Sequence, residues 1–124
     1  MPTVAILGAS TDRTKFGNKS VRAHQAKGYT VYPINPKADE IEGLKAYSSL
    51  AEVPAGTINR VSVYLPPQVG IKVLPEIAAR GCDELWLNPG TESDELIAAA
   101  ESLGLNVIQA CSIVDVGMSP RELP

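Results

Sequence analysis

The first stretch of this chain that could do chemistry is a glycine-containing turn near the amino terminus. Gly8 is followed by two small residues and then, after a polar stretch, by a second glycine; the residues concerned are Gly8, Ala9, Ser10, Lys15, Phe16 and Gly17. A glycine allows a tight turn, and the start of a following helix offers unpaired N–H groups to an anion. The pattern predicts a phosphate-binding loop to which Lys15 and Lys19 would add charge, although a plain tight turn with solvated lysines would contain the same glycines.

A second stretch, Asn35-Pro36-Lys37, carries no acidic residue at the point where an NAD-selective domain usually has one. That acid normally accepts hydrogen bonds from the 2′-hydroxyl of the ribose. A lysine in its place suits a ribose that carries a phosphate. The alternative is that Lys37 is an ordinary surface lysine.

Two proline-containing stretches complete the candidate site. Leu65, Pro66 and Pro67 follow an apolar run and predict a rigid apolar wall, unless Pro67 only begins the next helix. Pro89 and Gly90 precede another helical segment and indicate a second anion-compatible helix start, or a simple helix-entry turn.

Catalytic groups are scarce by comparison. Ser10 has no histidine expected within reach, because His24 would lie about two turns into the first helix, as a core or surface residue. Cys111 could form a mixed disulfide with a ligand thiol, but a buried inert thiol is the favoured interpretation. Glu92, Asp94 and Glu95 are typical of first-turn acids that a helix dipole favours. The sequence therefore leans against an enzyme and predicts no metal site.

The amino-acid composition of the chain argues against some classes of binding partner. Eleven basic residues against 14 acidic residues give a net charge of −3, with no basic run, so nucleic acid and anionic membranes are not expected partners. No apolar run approaches the roughly 20 residues that span a bilayer, and no cleavable leader pattern is present. We expect a soluble, cytosolic protein in which the two cysteines stay reduced.

The elements that must position these stretches alternate between strands and helices. Near-continuous apolar runs predict five strands that are covered on both faces, over Thr3–Leu7, Tyr29–Ile34, Arg60–Leu65, Glu84–Asn88 and Asn106–Gln109. Apolar stripes at helical spacing predict helices over Gln68–Arg80 and Glu92–Leu103. The first stripe contains Val69, Val73, Leu74 and Ile77, and Pro75 within it predicts a kink near Leu74.

Helix ends support the same arrangement. Gly28, Gly81 and Gly104 each stand where a left-handed C-cap is required before the next strand, and Thr91 is a weak N-cap candidate. Between the second and third strands, only Ser48–Glu52 resembles a helix. We predict an α/β, Rossmann-like, doubly wound single domain over residues 1–124, with a mostly parallel sheet of about five strands in the order 3-2-1-4-5. Ligands of such sheets bind beyond the carboxyl ends of the strands, where the four stretches lie.

At these stretches the chain resembles the stand-alone coenzyme A-binding domain proteins, which are small relatives of the N-terminal domain of succinyl-coenzyme A synthetase α-subunits. The resemblance covers almost the whole chain. It depends on VAILGAS with the later Lys15-Phe16-Gly17, on VYPINPK followed by IEGLKAYSSL, on VSVYLPP and on ELWLNPGTES. Two departures are His24 and Gln25 on the first helix, where relatives have larger apolar residues, and a tail that lacks basic residues near Cys111.

The resemblance implies a role for each stretch. Gly8, Ala9 and Ser10 would hold the pyrophosphate of coenzyme A, and Lys15 to Gly17 would close over it. Asn35 and Pro36 would border the adenosine, with Lys37 at the phosphorylated ribose. Leu65, Pro66 and Pro67 would edge the adenine pocket, and Pro89 and Gly90 would lie near the pantetheine arm.

Three functional hypotheses follow. The leading one is a non-catalytic module that stores, senses or presents coenzyme A or an acyl derivative. The second is a minimal NADP-dependent oxidoreductase or another enzyme that binds a nucleotide cofactor. The third is an interaction domain without a small ligand. A homodimer or an unidentified protein partner is compatible with each of them.

Overall fold

The main sheet of the protein contains five parallel strands. The computed structural model describes residues 2–54 and 56–124, and Met1, the first residue of the predicted domain, lies outside them. The strands of the main sheet are β1 (Thr3–Leu7), β2 (Thr30–Ile34), β5 (Arg60–Val63), β6 (Glu84–Leu87) and β7 (Val107–Ile108). Every pairing between them is parallel. The α/β class and the predicted number of strands are confirmed, and β1 has the predicted bounds.

The strand order corrects the prediction. The sheet runs β2-β1-β5-β6-β7, which is 2-1-3-4-5 when its strands are counted along the chain, so the predicted order 3-2-1-4-5 is wrong. Two features explain why the third strand lies beside β1 and not outside β2. Pro33 in β2 has no N–H to donate, which suits an edge strand. Tyr47 occupies the outer edge of β2, donating its N–H to Pro33 O and accepting from Asn35 N, both over 2.9 Å.

This order fixes where a ligand can enter. Strand order reverses between β1 and β5, so the crevice of an open α/β sheet lies beyond the carboxyl ends of these two strands. Gly8 follows β1, while Tyr64 and Leu65 follow β5. The two strands are joined beyond their ends by a hydrogen bond of 2.8 Å from Tyr64 N to Leu7 O.

Three helices cover the sheet. They are α1 (Phe16–Ala26), α2 (Pro67–Arg80) and α3 (Asp94–Ser102). Gly28, Gly81 and Gly104 follow them with φ angles of 83°, 81° and 79°, so a glycine with positive φ stands at each predicted helix end. Gly81, with a ψ of 144°, is extended and not left-handed helical. The α2 helix continues through Pro75 without being divided.

The start of α3 differs from the prediction. Ser93 caps this helix by accepting a hydrogen bond from Leu96 N over 3.1 Å, so Thr91 is not the cap. Thr91 instead donates its hydroxyl to Asn88 O over 2.7 Å. Asp94 and Glu95 occupy the first turn as expected, whereas Glu92 precedes the helix.

The segment between β2 and β5 contains a hairpin that the sequence analysis did not predict. Strands β3 (Glu40–Ile41) and β4 (Leu44–Lys45) pair antiparallel through a two-residue turn, Glu42-Gly43. A 3₁₀ helix, Leu50–Glu52, follows within the predicted helical patch. The hairpin packs against β2 and brings Ile41 and Ala46 into the core.

The strands alternate their side chains between two apolar layers. Ala5 and Leu7 face the layer formed with α2 and α3, whereas Val4 and Ile6 face the layer beside α1. All four are at most 4% exposed, which confirms that the sheet is covered on both faces.

A third, smaller cluster joins the carboxyl-terminal segment to α1. This segment contains α4 (Ser112–Asp115) and a second 3₁₀ helix, Pro120–Glu122. Ala23 of α1 is buried with Ile113 and Leu123. His24 on the same helix is also fully buried, so α1 does not pack loosely at this departure from the family pattern. Within residues 2–54 and 56–124, no helix combines the length and apolar character needed to span a membrane.

Candidate functional site

Two cavities open at the carboxyl edge of the sheet, on either side of the glycine turn. The first cavity has a volume of about 240 Å³. It is lined by Leu7, Gly8, Ala9, Ile34, Asn35, Pro36, Ser48, Ser49, Leu50, Leu65, Val69, Val73, Glu76 and Ile77. The second cavity has a volume of about 360 Å³. It is lined by Gly8, Lys15, Phe16, Gly17, Tyr64, Leu65, Pro66, Pro67, Pro89, Gly90 and Thr91.

Gly8 and Leu65 line both cavities, which places the junction between them at the strand-order reversal. Gly8 has a φ of 84°, a conformation that side chains rarely adopt. A Cβ atom added there would also lie 2.6 Å from the Tyr64 carbonyl oxygen. Glycine is therefore required at this junction both by its dihedral angle and by the close approach of the next loop.

Gly17 is required by a second close approach between two backbone segments. A Cβ atom added to Gly17 would overlap the carbonyl oxygen of Gly8, so only glycine lets the start of α1 approach the turn after β1. This confirms that Gly17 relieves crowding where the helix begins. The start of α1 has Lys15 at its N-cap position, no side-chain cap and no acidic residue in its first turn. Its first N–H groups and the helix dipole thus favour an anion.

Asn35 links the loops after β1 and β2. Its Nδ2 donates a hydrogen bond to Ala9 O over 2.9 Å, while its Oδ1 accepts from Lys37 N over 2.8 Å and from Ala38 N over 3.2 Å. The side-chain amide therefore fixes the position of the two loops relative to each other. The Lys37 side chain, in the turn that Asn35 stabilises, is exposed.

Twelve of the 14 predicted site residues line one or both cavities; Ser10 and Lys37 do not. The Ser10 hydroxyl accepts a hydrogen bond from Asp12 N over 3.0 Å. Lys19, which the sequence analysis added to the phosphate loop, donates its ammonium group to Pro120 O over 3.2 Å. Lys15 alone of these two lysines lines a cavity.

The structure agrees with the prediction for one of the two loops that contain proline and differs from the prediction for the other. Pro66 and Pro67 line the second cavity, and Pro67 is also the first residue of α2. This stretch therefore both forms part of the cavity wall and begins the helix. Pro89 and Gly90 line the same cavity but lie before the helix, because α3 begins at Asp94. The side-chain cap and the acids at that helix start make it a poor anion site, which corrects the prediction of a second anion-compatible terminus.

The walls of the first cavity include residues to which sequence analysis gave no site role. Val69 and Val73 belong to the apolar stripe that predicted the helix α2, and both line the cavity, with Val69 39% exposed. Ser48 and Ser49 follow the hairpin, which turns the chain back towards the sheet edge. Gly43 is the one residue of this turn that favours a hairpin, and it could have indicated this return only weakly, because Glu42 is not typical of such turns.

Beneath the second cavity lies a network of buried hydroxyl groups. The Tyr64 hydroxyl bonds to Ser112 Oγ over 3.1 Å, and Ser112 Oγ bonds to Ser62 Oγ over 2.7 Å. Asn88 joins them by donating Nδ2 to Ser62 Oγ over 2.9 Å. Burial raises the pKa of Tyr64, although its hydrogen bond to Ser112 acts in the opposite direction. The hydroxyl therefore stays protonated and holds the loop after β5 in place.

His24, Cys82 and Cys111 line neither cavity. His24 is fully buried. Cys111 is half-buried at the start of α4 and packs beside the cluster of Ala23, Ile113 and Leu123. Cys82 packs against the core, and both cysteines are free thiols.

Comparison with known proteins relates the chain to a described family. A protein-family model described as "CoA binding domain" matches residues 2–117. The α-subunit of an ADP-forming acetate–CoA ligase from Pyrococcus furiosus is 30% identical over 118 residues, covering 85% of this chain. The chain spans about a quarter (25%) of the length of that subunit.

Solved structures share the fold. A conserved hypothetical protein from Pyrococcus furiosus superposes with a TM-score of 0.84 at 36% identity, covering 93% of this chain and 99% of that one. A dinucleotide-forming acetyl-coenzyme A synthetase from Ca. Korarchaeum cryptofilum, in complex with phosphate and ADP, gives a TM-score of 0.76 at 30% identity. The match covers 87% of this chain but 25% of the synthetase.

Proposed function

The chain belongs to the CoA binding domain family, and from this premise we propose that it is a single coenzyme A-binding domain whose ligand spans the two cavities. The observation that carries the proposal is that both cavities meet at Gly8 and Leu65, beside the exposed start of α1. A ligand with a diphosphate at its centre and different groups at its ends fits this arrangement. The NADP alternative is not favoured by the family.

The diphosphate is assigned to the glycine turn. Gly8 and Gly17 bring the first turn of α1 against the loop after β1, and the uncapped N–H groups of that turn face an approaching anion. Lys15 stands at the N-cap position and lines the second cavity, so its ammonium group adds positive charge. Ala9 and Ser10 contribute backbone to the same turn.

The adenosine end is assigned to the first cavity. Its walls are mostly aliphatic, with Asn35, Ser48 and Glu76 among its polar residues. Apolar walls with a small number of polar groups are typical of sites for flat heterocycles, and the two volumes together fall within the roughly 300–1,000 Å³ of small-molecule sites. Pro36 and the exposed Lys37 follow at the rim, where the 3′-phosphate of the ribose would lie.

The pantetheine arm is assigned to the second cavity. Pro66, Pro67, Pro89 and Gly90 give it an extended edge on which an aliphatic amide chain can lie. We propose that the domain binds, senses or presents coenzyme A or an acyl derivative without transforming it. This non-catalytic role is supported by the burial of His24 and by the absence of Cys111 from the residues that line the two cavities.

The test is isothermal titration calorimetry with coenzyme A, dephospho-coenzyme A and NADPH. Coenzyme A is expected to bind most tightly, and dephospho-coenzyme A about tenfold more weakly, because a hydrogen bond to a charged group contributes about 1.5–3 kcal/mol. Lys37→Ala should remove this difference, whereas Lys27→Ala, at the far end of α1, should not. Tighter binding of NADPH than of coenzyme A would contradict the proposal, and equal binding of the two coenzyme A forms would contradict the role of Lys37.

A further inference from the structure

Glu42 adopts a backbone conformation that its side chain does not favour. It is the first residue of the two-residue turn between β3 and β4, with a φ of 50°, and Gly43 follows with a φ of 78°. Among the described residues other than glycine, Glu42 alone has a positive φ. Turns of this kind favour Asn, Asp or Gly at both positions, so a glutamate there requires another explanation.

The explanation lies in what the Glu42 carboxylate contacts. Its Oε2 accepts a hydrogen bond from Asn18 Nδ2 over 3.0 Å and lies 3.4 Å from Arg13 Nε. Asn18 is on the first turn of α1, and Arg13 is in the loop before it. The hairpin thus reaches the predicted phosphate loop through one strained residue.

Asn18 uses every polar atom of its fully buried side chain. Besides the bond to Glu42, its Nδ2 donates to Ser10 O over 2.9 Å, and its Oδ1 accepts from Arg22 Nε over 2.8 Å. The two protons of one amide therefore join the hairpin to the carbonyl group of Ser10. Without Glu42, one of these protons would be buried without an acceptor.

The bond to Ser10 O sets the direction of the next backbone donor. In a planar trans peptide the carbonyl oxygen and the following N–H point in opposite directions. With Ser10 O held towards Asn18, the Thr11 N–H points away from the Asn18 side-chain amide. Asn35 does the same for the preceding peptide by binding Ala9 O. Neither Ser10 N nor Thr11 N donates a hydrogen bond within residues 2–54 and 56–124.

We propose that Glu42 is a positioning residue for the phosphate loop. Through Asn18 it holds the Ser10–Thr11 peptide so that the N–H of Thr11 is presented to the diphosphate before the ligand arrives. The role of Glu42 rests on the proposed function, because it concerns the same site. This role also explains why a carboxylate lies near an anion site, although its negative charge alone would weaken the binding of an anion.

Two substitutions separate the hydrogen bond from the charge. Glu42→Gln keeps an oxygen that can accept from Asn18 but removes the negative charge. Glu42→Gly removes both; the relief of backbone strain offsets the loss of the acceptor for Asn18, so the variant should fold with a Tm close to that of the unmodified chain. Glu40→Gln is the matched control, because Glu40 lies exposed on the same hairpin opposite Lys45.

The experiment is calorimetric titration of each variant with coenzyme A, together with its Tm. We expect Glu42→Gln and Glu40→Gln to bind within about twofold of the unmodified chain, and Glu42→Gly to bind about five- to tenfold more weakly with a Tm close to that of the unmodified chain. A role in stability alone would change the Tm and leave the affinity unchanged.

Other results would contradict either the positioning role of Glu42 or the proposed function. If Glu42→Gly binds as tightly as the unmodified chain, or if it gains affinity to the same extent as Glu42→Gln, the positioning role is wrong and only the charge matters. If the unmodified chain gives no heat with coenzyme A, the proposed function is wrong and the role of Glu42 in it fails as well.

Discussion

The side-chain amide of Asn35 donates a hydrogen bond to the carbonyl oxygen of Ala9 over 2.9 Å. This bond joins the loops that follow β1 and β2, which are neighbouring strands of the sheet. The other side-chain atom, Oδ1, accepts from the two N–H groups that form the next turn. Asn35 is therefore the residue through which the two sides of the first cavity keep a fixed separation.

Replacing Asn35 with Asp should weaken both the fold and the site. The carboxylate keeps the acceptor for Lys37 N, but it turns an oxygen towards Ala9 O, so a donor–acceptor pair becomes a pair of acceptors. We expect a loss of about 1–3 kcal/mol in the free energy of unfolding, measured by urea denaturation. Asn106→Asp is the matched control, because Asn106 Nδ2 also donates to a carbonyl oxygen, that of Asp83 over 3.2 Å, but at an exposed position. Equal losses in both variants would contradict the role of Asn35.

Gly17→Ala tests the close approach of α1 to the turn after β1. Inside a helix, alanine is normally more stable than glycine by about 1 kcal/mol. Here the added Cβ meets the Gly8 carbonyl, so we expect the opposite sign, a destabilisation of about 1–3 kcal/mol. Chemical denaturation measures it.

The matched control for this variant is Gly70→Ala in α2. Its added Cβ would lie 3.3 Å from Leu96 Cδ2, a mild contact that the gain in helix propensity offsets, so a change near zero is expected. A stabilised Gly17→Ala variant would show that the helix start can shift away from Gly8.

His24 should make the stability of the protein depend on pH. Its Nδ1 donates to Ser20 O over 2.8 Å, while Nε2 is buried without a partner in the described chain. Burial lowers the pKa of His24 from 6.5 to about 4, although the hydrogen bond to Ser20 acts in the opposite direction. Between these two values the unfolded chain binds more protons than the folded one.

His24 therefore makes its full contribution to the free energy of unfolding above pH 6.5, and this contribution is lost as the pH falls towards 4. The total loss is about 3 kcal/mol. His24→Gln should flatten the dependence of the unfolding free energy on pH over this interval. An unchanged slope in the variant would mean that His24 is protonated in the folded protein, or that other groups govern this range.

Cys82 should react slowly with alkylating reagents. Burial raises the pKa of its thiol from 9.0 to about 11, and the carboxylates of Asp83 and Glu84 act in the same direction. Since the thiolate is the reactive form, its fraction near pH 8 falls about 100-fold, from the difference between these values.

The measurement is the rate of iodoacetamide reaction in a Cys111→Ser variant, which leaves Cys82 as the one thiol. The rate in the folded protein should be at least about 100-fold below that in urea. Comparable rates in the two states would contradict the buried position of Cys82.

Much of this architecture was predictable from the sequence because local signals and burial agree. The bounds of β1 and the glycine ends of three helices follow from apolar runs and from glycines with positive φ. The strand order was not predicted, although Pro33 carries the relevant signal. A proline inside a strand identifies an edge, and this excludes an order in which β2 is flanked on both sides.

The site was predictable to the extent that it is made by loops after strands. Most of the named residues reach one of the two cavities, because parallel strands end at one edge. The contacts among Glu42, Asn18 and Ser10 could not be predicted, because they join residues 8 and 24 positions apart through a hairpin. Nor could spacing alone show that Lys19 would bind Pro120 instead of an anion.

The pairing of Tyr47 with the outer edge of β2 also bears on aggregation. An edge strand with free N–H and C=O groups is a template on which another chain can add a strand. Here Tyr47 satisfies Pro33 O and Asn35 N, Pro33 itself offers no donor, and the opposite edge is the two-residue strand β7. Both edges of the sheet thus offer few free backbone groups for strand addition, so concentrated solutions of the folded protein should resist amyloid-like association.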